Sequence, residues 1–412
     1  MQLLCLSNGH GEDAIALRIV QALRSHPAAP DIAALPMVGT GQAYIHHNVP
    51  IVGPTKQMPS GGFVYMDQRQ LWRDVKGGLL GLTIAQFQTV KAWANAGGLI
   101  LAVGDIVPLL FAWASGAPYA FVGTAKSEYY LQDEAGWLPR RSWFEQMESW
   151  SGSVYLPWER WLMSRKRCKA VFPRDTLTCQ ILKRWSIPVF DLGNPMMDGL
   201  EPSGTIFEPY EAAADVPPLT IALLPGSRSP EAEANWDLIL KAIQDIVLTF
   251  RQRPLLFLGA IAPNLDLAPF RSQLQSAGWL PRTATDAAEP LFTQRHASLI
   301  LTQTGFADCL HQADFAIALA GTATEQFVGL GKPAITIAGR GPQFTPAFAE
   351  AQTRLLGSSV CLVNEPSQVV TVLGNLLQNP DALQVMAENG HRRMGVPGAA
   401  HRIADALMQH LS

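Results

Sequence analysis

Short runs of consecutive apolar residues recur along almost the whole chain, and most are followed by apolar positions at helical spacing. An apolar run without alternation is buried on both faces. Strands of that kind, joined by helices long enough to cross over, form parallel sheets covered on either side. In the first half the expected strands are residues 3–6, 32–35, 99–103, 119–122, 170–172 and 189–192. In the second half they are 219–224, 255–258, 299–301, 315–320, 334–337 and 360–363. Residues 199–218, rich in Pro, Glu, Ala and Gly, carry no clear period and read as a linker. The expected architecture is therefore α/β: two similar-sized domains with parallel sheets facing a cleft, at 1–200 and 219–390. A linker at 201–218 joins them, and a closing helix at 391–412 is expected to pack back on the first domain.

Composition narrows the function. Hydrophobic residues make up 48% of the 412 positions and charged residues 16%, enough to fill two large cores. A net charge of −3 argues against a general nucleic-acid binder. Cys5, Cys168, Cys179, Cys309 and Cys361 are scattered, odd in number and without metal-ligand spacing, which suits a reduced, cytoplasmic setting. No leader is expected, since the first residues enter a strand directly. No uncharged apolar run reaches the roughly 18–20 residues that span a bilayer.

The strand 219–224 ends abruptly in Pro225-Gly226-Ser227-Arg228, and a helical pattern begins at once. Ser229 is expected as N-cap, Pro230 in the first helical position, and Glu231 and Glu233 in the first turn. Exposed N–H groups, the positive end of a helix dipole and a guanidinium would converge there on a phosphate. The same residues would also serve an ordinary turn with a surface arginine. A second turn of the same kind follows strand 315–320: Gly321-Thr322-Ala323-Thr324-Glu325-Gln326. Two helix starts at strand ends in one domain form a more specific pattern than either alone. Small residues there would hold a diphosphate, with a carboxylate or amide one turn in reaching ribose hydroxyls.

The first strand runs into Ser7-Asn8-Gly9-His10-Gly11-Glu12-Asp13-Ala14. Gly9, Gly11 and Ala14 match a dinucleotide pattern, but the acidic residue that should end the second strand is missing. Glu12 and Asp13 would also repel a pyrophosphate. The loop suits an acceptor hydroxyl and a general base better, with His10, Glu12 and Asp13 as candidates. Asp105 closes strand 99–103 through Gly104, where it would act as a base or cap the helix starting near Pro108. No D-x-D pair or His/Cys cluster suggests a metal site.

Leu223-Leu224-Pro225-Gly226-Ser227-Arg228, Gly193-Asn194-Pro195 with Asp198, and Gly321-Thr322-Ala323-Thr324 ahead of Gly331-Lys332-Pro333 resemble lipid-A-disaccharide synthase. They look closest to the lipid-A-disaccharide synthase-related proteins of cyanobacteria and plastids. The resemblance implies two Rossmann-like domains of the GT-B type and an inverting, metal-independent glycosyltransferase. A UDP-sugar donor would lie over Gly226, Ser227, Arg228, Gly321, Thr322, Ala323, Thr324, Glu325 and Gln326. A lipid or lipid-linked acceptor would meet Gly9, Gly11 and Asp13. By the same resemblance Asp105 matches an aspartate essential for catalysis, with His10 and Glu12 beside it as candidates. No cofactor is implied beyond the nucleotide sugar. The chain departs from that family at its first loop and at Gln326, where the family carries Glu. A nucleotide-sugar epimerase or hydrolase of the same fold, or a binding protein without turnover, are the alternatives. Oligomeric state stays open.

Trp137, Trp143, Trp150, Trp158 and Trp161 fall close together, among Arg140, Arg141, Arg160, Arg165, Lys166, Arg167 and Lys169. Aromatics beside a basic cluster suit a peripheral membrane contact through residues 137–169. Residues 77–86 would add an apolar patch. Packing inside the domain is the competing role for these tryptophans.

Overall fold

The computed structural model describes residues 1–56, 79–139, 143–210, 216–282, 289–339 and 341–411, and the backbone alone at His10, Leu79, Leu80 and Phe144. The chain forms two compact units, Met1–Gly199 with Val396–Ser412, and Leu200–Gly395. In the first, β1 (Gln2–Ser7), β2 (Asp31–Pro36), β3 (Leu99–Gly104) and β4 (Tyr119–Gly123) precede a short hairpin of β5 (Gln132–Asp133) and β6 (Gly136–Trp137). β7 (Cys168–Pro173) completes a sheet of order β2-β1-β3-β4-β7, parallel throughout.

The second unit carries β8 (Leu219–Leu224), β9 (Leu255–Ala260), β10 (Leu280–Arg282), β11 (Leu291–Gln294) and β12 (Ala297–Thr302). β13 (Phe315–Ala318), β14 (Ala334–Ile337) and β15 (Val360–Val363) follow. Their order is β10-β11-β12-β9-β8-β13-β14-β15. The six strands from β12 to β15 are parallel, and β10 and β11 extend one edge antiparallel. β10 carries little strand signal: Leu280, Pro281 and Arg282 are all exposed. β8 and β9 are fully buried, as unbroken apolar runs require. Trp236 of helix Glu231–Thr249 is completely buried in this core, edge-on to Phe270.

In both sheets the chain reverses its direction of travel once. It goes from β1 outward to β2, then returns to place β3 on the other side of β1. It goes from β8 outward through β9 to β12, then returns to place β13 on the other side of β8. The loops leaving the two strands at each reversal point diverge, which opens a crevice at their carboxyl ends.

Several boundaries differ from expectation for physical reasons. Residues 189–192 do not form a strand: Val189 makes a single bridge to Val171. The chain then turns at Gly193, φ 88°, and Arg402 takes the Leu192 carbonyl. β13 stops at Ala318 because the Leu319 and Ala320 carbonyls are taken by side chains rather than by a ladder. Helix Glu231–Thr249 has Pro230, not Ser229, at its N-cap. The helix after β3 begins at Ile106 rather than near Pro108, with Asp105 as its cap. The described part of 201–218 is pinned to helix Phe306–Gln312. Asp308 accepts from Ser203, Gly204 and Thr205, and Gln312 accepts the Phe207 N–H.

The Gly193-Asn194-Pro195 motif and Asp198 join the C-terminal helix to the first unit. Asn194 caps the short turn Pro195–Met197, whose Pro195 and Met196 carbonyls accept from Arg18. The Asp198 carboxylate accepts the N–H groups of Gly398, Ala399 and Ala400 where helix Ala399–Leu411 starts. An ionised acceptor at a helix N-terminus is favoured twice, by charge-assisted bonds and by the dipole. Asp198→Ala should leave those donors unpaired and destabilise the first unit by roughly 2–4 kcal/mol. The check is a lowered urea midpoint together with early proteolytic release of residues 396–412; an unchanged midpoint would remove Asp198 from this role.

Candidate functional site

In the second unit the turns after β8 and β13 leave the sheet side by side, because the strands pair in register with Leu224 opposite Ala318. Gly226 sits at φ 102°, a conformation that suits glycine, and a Cβ there would come 3.4 Å from the Leu319 carbonyl. Asn235, 2% exposed in the second turn of helix Glu231–Thr249, donates to the carbonyls of both Pro225 (3.0 Å) and Leu319 (3.2 Å). One amide thus ties the two turns together. Gln352 donates to the carbonyls of Ala320 and Gly321, both at 3.1 Å, and Asn264 donates to that of Ser227. Glu231 accepts the N–H groups of Gln343 (3.1 Å) and Phe344 (2.6 Å), bringing the loop after β14 to the start of the same helix.

With the carbonyls of Pro225, Ser227, Leu319, Ala320 and Gly321 bonded to side chains, the turns are left richer in N–H groups than in acceptors. Helix Thr322–Gly329 starts at Gly321, and its first N–H groups have no intrahelical acceptor. Ser227 and Thr322 are exposed, while Gly226, Arg228, Gly321 and Ala323 are half-buried. Thr324, Glu325 and Gln326 are buried, and the Thr324 hydroxyl donates to the Ala320 carbonyl of its own turn. So Thr324 shapes the turn, and its exposed neighbours form its surface. Lys332 lies elsewhere: its ammonium caps the far end of helix Phe306–Gln312 through the carbonyls of Leu310, His311 and Ala313.

In the first unit β1 and β3 pair from Leu3 opposite Leu99 to Ser7 opposite Val103, which brings Asn8 beside Gly104 and Asp105. Asp105 is 8% exposed; its Oδ1 accepts from Val107 N–H (2.8 Å) and its Oδ2 from the Asn8 amide (3.0 Å). Burial raises its pKa above the ordinary value, opposed by those two donors; the charge of Glu159 raises it further and that of Lys126 lowers it. Lys126 donates to Glu159 (2.7 Å) and to the Val154 carbonyl (2.9 Å). Glu12 is half-buried, with its Cγ 3.3 Å from where a Cβ on Gly104 would lie. Gly9, φ 124°, is the N-cap of helix His10–Ser25, and Gly11 is exposed. The His10 side chain lies outside the description.

Asp13 turns away from this group. It is 2% exposed, accepts the Ser7 hydroxyl at 2.5 Å, and Ser7 meets the Tyr44 hydroxyl at 2.7 Å. Its bonds run into the domain rather than toward an acceptor. Asn8, Lys126, Asn235, Gln352 and Glu231 carry these sites, yet the sequence reading did not single them out as site residues. Their only signal was polarity within otherwise apolar or turn-like surroundings.

Tryptophans 150, 143, 158, 137 and 161 are 87%, 74%, 51%, 46% and 45% exposed. Trp161 also packs on Trp113 and carries Arg165 over its ring. Arg140 and Arg141, and Gly77 and Gly78 of the 77–86 patch, lie outside the described residues. Among the described residues no helix is long and apolar enough to cross a membrane, and no cluster of three or more His, Cys, Asp or Glu could hold a metal.

The chain matches no family model and no curated protein. Solved structures do match along its whole length. CalG4, a calicheamicin glycosyltransferase, superposes with a TM-score of 0.60 at 12% identity, covering 100% of this chain and 98% of that one. A candidate UDP-N-acetylglucosamine 2-epimerase from Listeria monocytogenes gives 0.58 at 14%, covering 100% and 96%. MurG of Acinetobacter baumannii gives 0.57 at 14%, covering 99% of each chain. At such identities the likeness is one of fold, and the fold is GT-B type, two Rossmann-like α/β units on one chain.

Burial holds the Asp13 carboxyl at about 6, above its ordinary 3.8, against the lowering effect of the Ser7 hydroxyl. A carboxyl that binds its proton more tightly when folded contributes stability below pH 3.8 and loses it as pH rises toward 6. Relative to Asp13→Asn, wild type should therefore be favoured by roughly 2–3 kcal/mol more at pH 4 than at pH 7. Urea midpoints of both proteins at the two pH values decide it, and a pH-independent difference counts against a protonated Asp13.

Proposed function

We propose that the protein is a GT-B nucleotide-sugar enzyme, and specifically an inverting glycosyltransferase that moves a sugar from a UDP-sugar to a lipid-linked acceptor. The observation that carries this reading is the pair of turns joined by Asn235 at the β8/β13 reversal point. Their arrangement suits a diphosphate: N–H donors at two helix starts, with Arg228 at the mouth. The similar structures point the same way, CalG4 to glycosyl transfer and the Listeria protein to UDP-N-acetylglucosamine.

In this reading the acceptor hydroxyl gives its proton to Asp105, the alternative base being His10 with Glu12 in support. Its oxygen forms the new bond to the anomeric carbon as the bond to the donor's β-phosphate breaks. Charge develops on the departing UDP, and the N–H groups near 226–228 and 322–324 together with Arg228 stabilise it. Oriented donors of this kind need no metal to act. The resemblance to lipid-A-disaccharide synthase supports a lipid-linked acceptor, while the different first loop argues for another acceptor than that enzyme's. An epimerase or hydrolase is the second reading, favoured by the equally close fold of the Listeria protein.

A thermal-shift panel of UDP-, GDP- and ADP-sugars tests the donor, since a ligand stabilises in proportion to ln(1 + [L]/Kd). We expect a response to UDP-sugars and its loss in Arg228→Ala; no response to any nucleotide sugar would sink both enzyme readings. Asp105→Asn should keep the UDP-sugar shift while transfer falls by about 100-fold or more. Consumption of UDP-sugar without acceptor would favour the second reading.

The exposed tryptophans support peripheral contact with a membrane that carries the acceptor. Trp143→Gln combined with Trp150→Gln should reduce cosedimentation with vesicles containing phosphatidylglycerol, leaving the UDP-sugar shift unchanged. Equal sedimentation of variant and wild type would exclude this face.

A further inference from the structure

We propose that Asn8 is a positioning residue for Asp105, its side-chain amide fixing the carboxylate oxygen that receives the acceptor's proton. The inference rests on Asp105 being the general base. Asp105 is a helix cap, and a cap held only through the Val107 N–H to Oδ1 leaves its second oxygen free to swing about that bond. The Asn8 amide removes that freedom by donating to Oδ2 at 3.0 Å. Oδ2 keeps a second lone pair for a substrate proton.

Asn8 is itself placed with little latitude. It is 5% exposed, its Cβ lies 3.5 Å from where a Cβ on Gly104 would be, and the chain turns off immediately at Gly9, φ 124°. Beneath it Ser7 is held by Asp13 and Tyr44. The loop after β1 is therefore fixed from below, and it fixes Asp105 from the side.

Two charged groups act on Asp105 from other elements, Lys126 from the segment after β4 and Glu159 from helix Pro157–Met163, while Glu12 of helix His10–Ser25 lies beside the neighbouring Gly104. The charge of Glu159 raises the Asp105 pKa and that of Lys126 lowers it, so the two oppose each other. Asn8 is a donor at every pH and favours the ionised carboxylate throughout.

The test reads Asp105 directly. In protein labelled with ¹³C at aspartate Cγ, the Asp105 signal is assigned by its loss in Asp105→Asn and titrated in wild type and Asn8→Ala. Loss of the donor should move the midpoint up by about one pH unit. The acid limb of the pH–rate profile for transfer should move by the same amount, while the UDP-sugar thermal shift stays as in wild type. Asn8→Asp is isosteric and donates only while the pair of carboxyls shares a proton, so its profile should turn bell-shaped. That variant also answers the question if Asn8→Ala fails to fold. A midpoint unchanged within 0.3 unit (about 0.4 kcal/mol) in Asn8→Ala, or an Asn8→Asp profile like wild type, overturns the proposal. A midpoint that shifts in a protein showing no transfer leaves Asn8 in place and refutes the base role of Asp105 instead.

Discussion

Parallel strands impose the constraint from which the rest of this structure follows. Each strand must be followed by a crossover that returns the chain to the starting edge, so every strand's outgoing loop emerges at one edge of the sheet. Where the order of strands reverses, the two outgoing loops part, and a crevice opens between them. Each unit reverses once, between β1 and β3 and between β8 and β13. Asn8, Glu12 and Asp105 stand at the first reversal, and Gly226–Arg228 and Gly321–Ala323 at the second. The candidate residues are thus placed by topology before any side-chain contact is considered.

Topology brings the loops to one place but does not hold them there. That is done by a few buried polar side chains that bond to backbone rather than to each other. Asn235 spans two turns through their carbonyls, Gln352 holds the second turn from its other side, and Glu231 attaches a third loop through two N–H groups. A single such bond contributes only about 1 kcal/mol net, but a buried carbonyl left without it costs about 1–3 kcal/mol. That asymmetry makes the amides effective at fixing shape. By taking up the carbonyls, they leave the turns richer in N–H groups, and so better suited to an anion.

The strands and the two small-residue turns were legible in the sequence because their signals are local. An unbroken apolar run followed by Pro-Gly-Ser-Arg or Gly-Thr-Ala-Thr needs no knowledge of the rest of the chain. Residues 189–192 have the same local signal and stop at one bridge, because the next ladder bond would need an N–H at Pro173, which has none; further on, Arg402, some 210 positions away, takes the Leu192 carbonyl. β10 escaped for the opposite reason: an exposed edge strand has no apolar run to show. Asn8, Asn235 and Gln352 were illegible as site residues for a similar cause. An amide in a helix or loop has no period and no motif, and its role exists only once the fold brings a distant carbonyl or carboxylate to it.

Asp13 and Asp105 show how far residue type alone can mislead. Both are aspartates near a helix start at the carboxyl end of neighbouring strands, and both are buried enough to hold a proton above their ordinary range. Asp13 accepts the Ser7 hydroxyl beneath the loop, and there burial outweighs the Ser7 and Gly9 hydrogen bonds that favour its charge. Asp105 is held by two N–H donors that favour its charge, at the reversal point where the loops part. A carboxylate that is to accept a proton from a ligand must be ionised, oriented and reachable together. The strand order supplies the place, the Val107 N–H and the Asn8 amide hold the orientation and favour the charge, and Asp13, one turn into its helix and bonded to Ser7, lacks those partners.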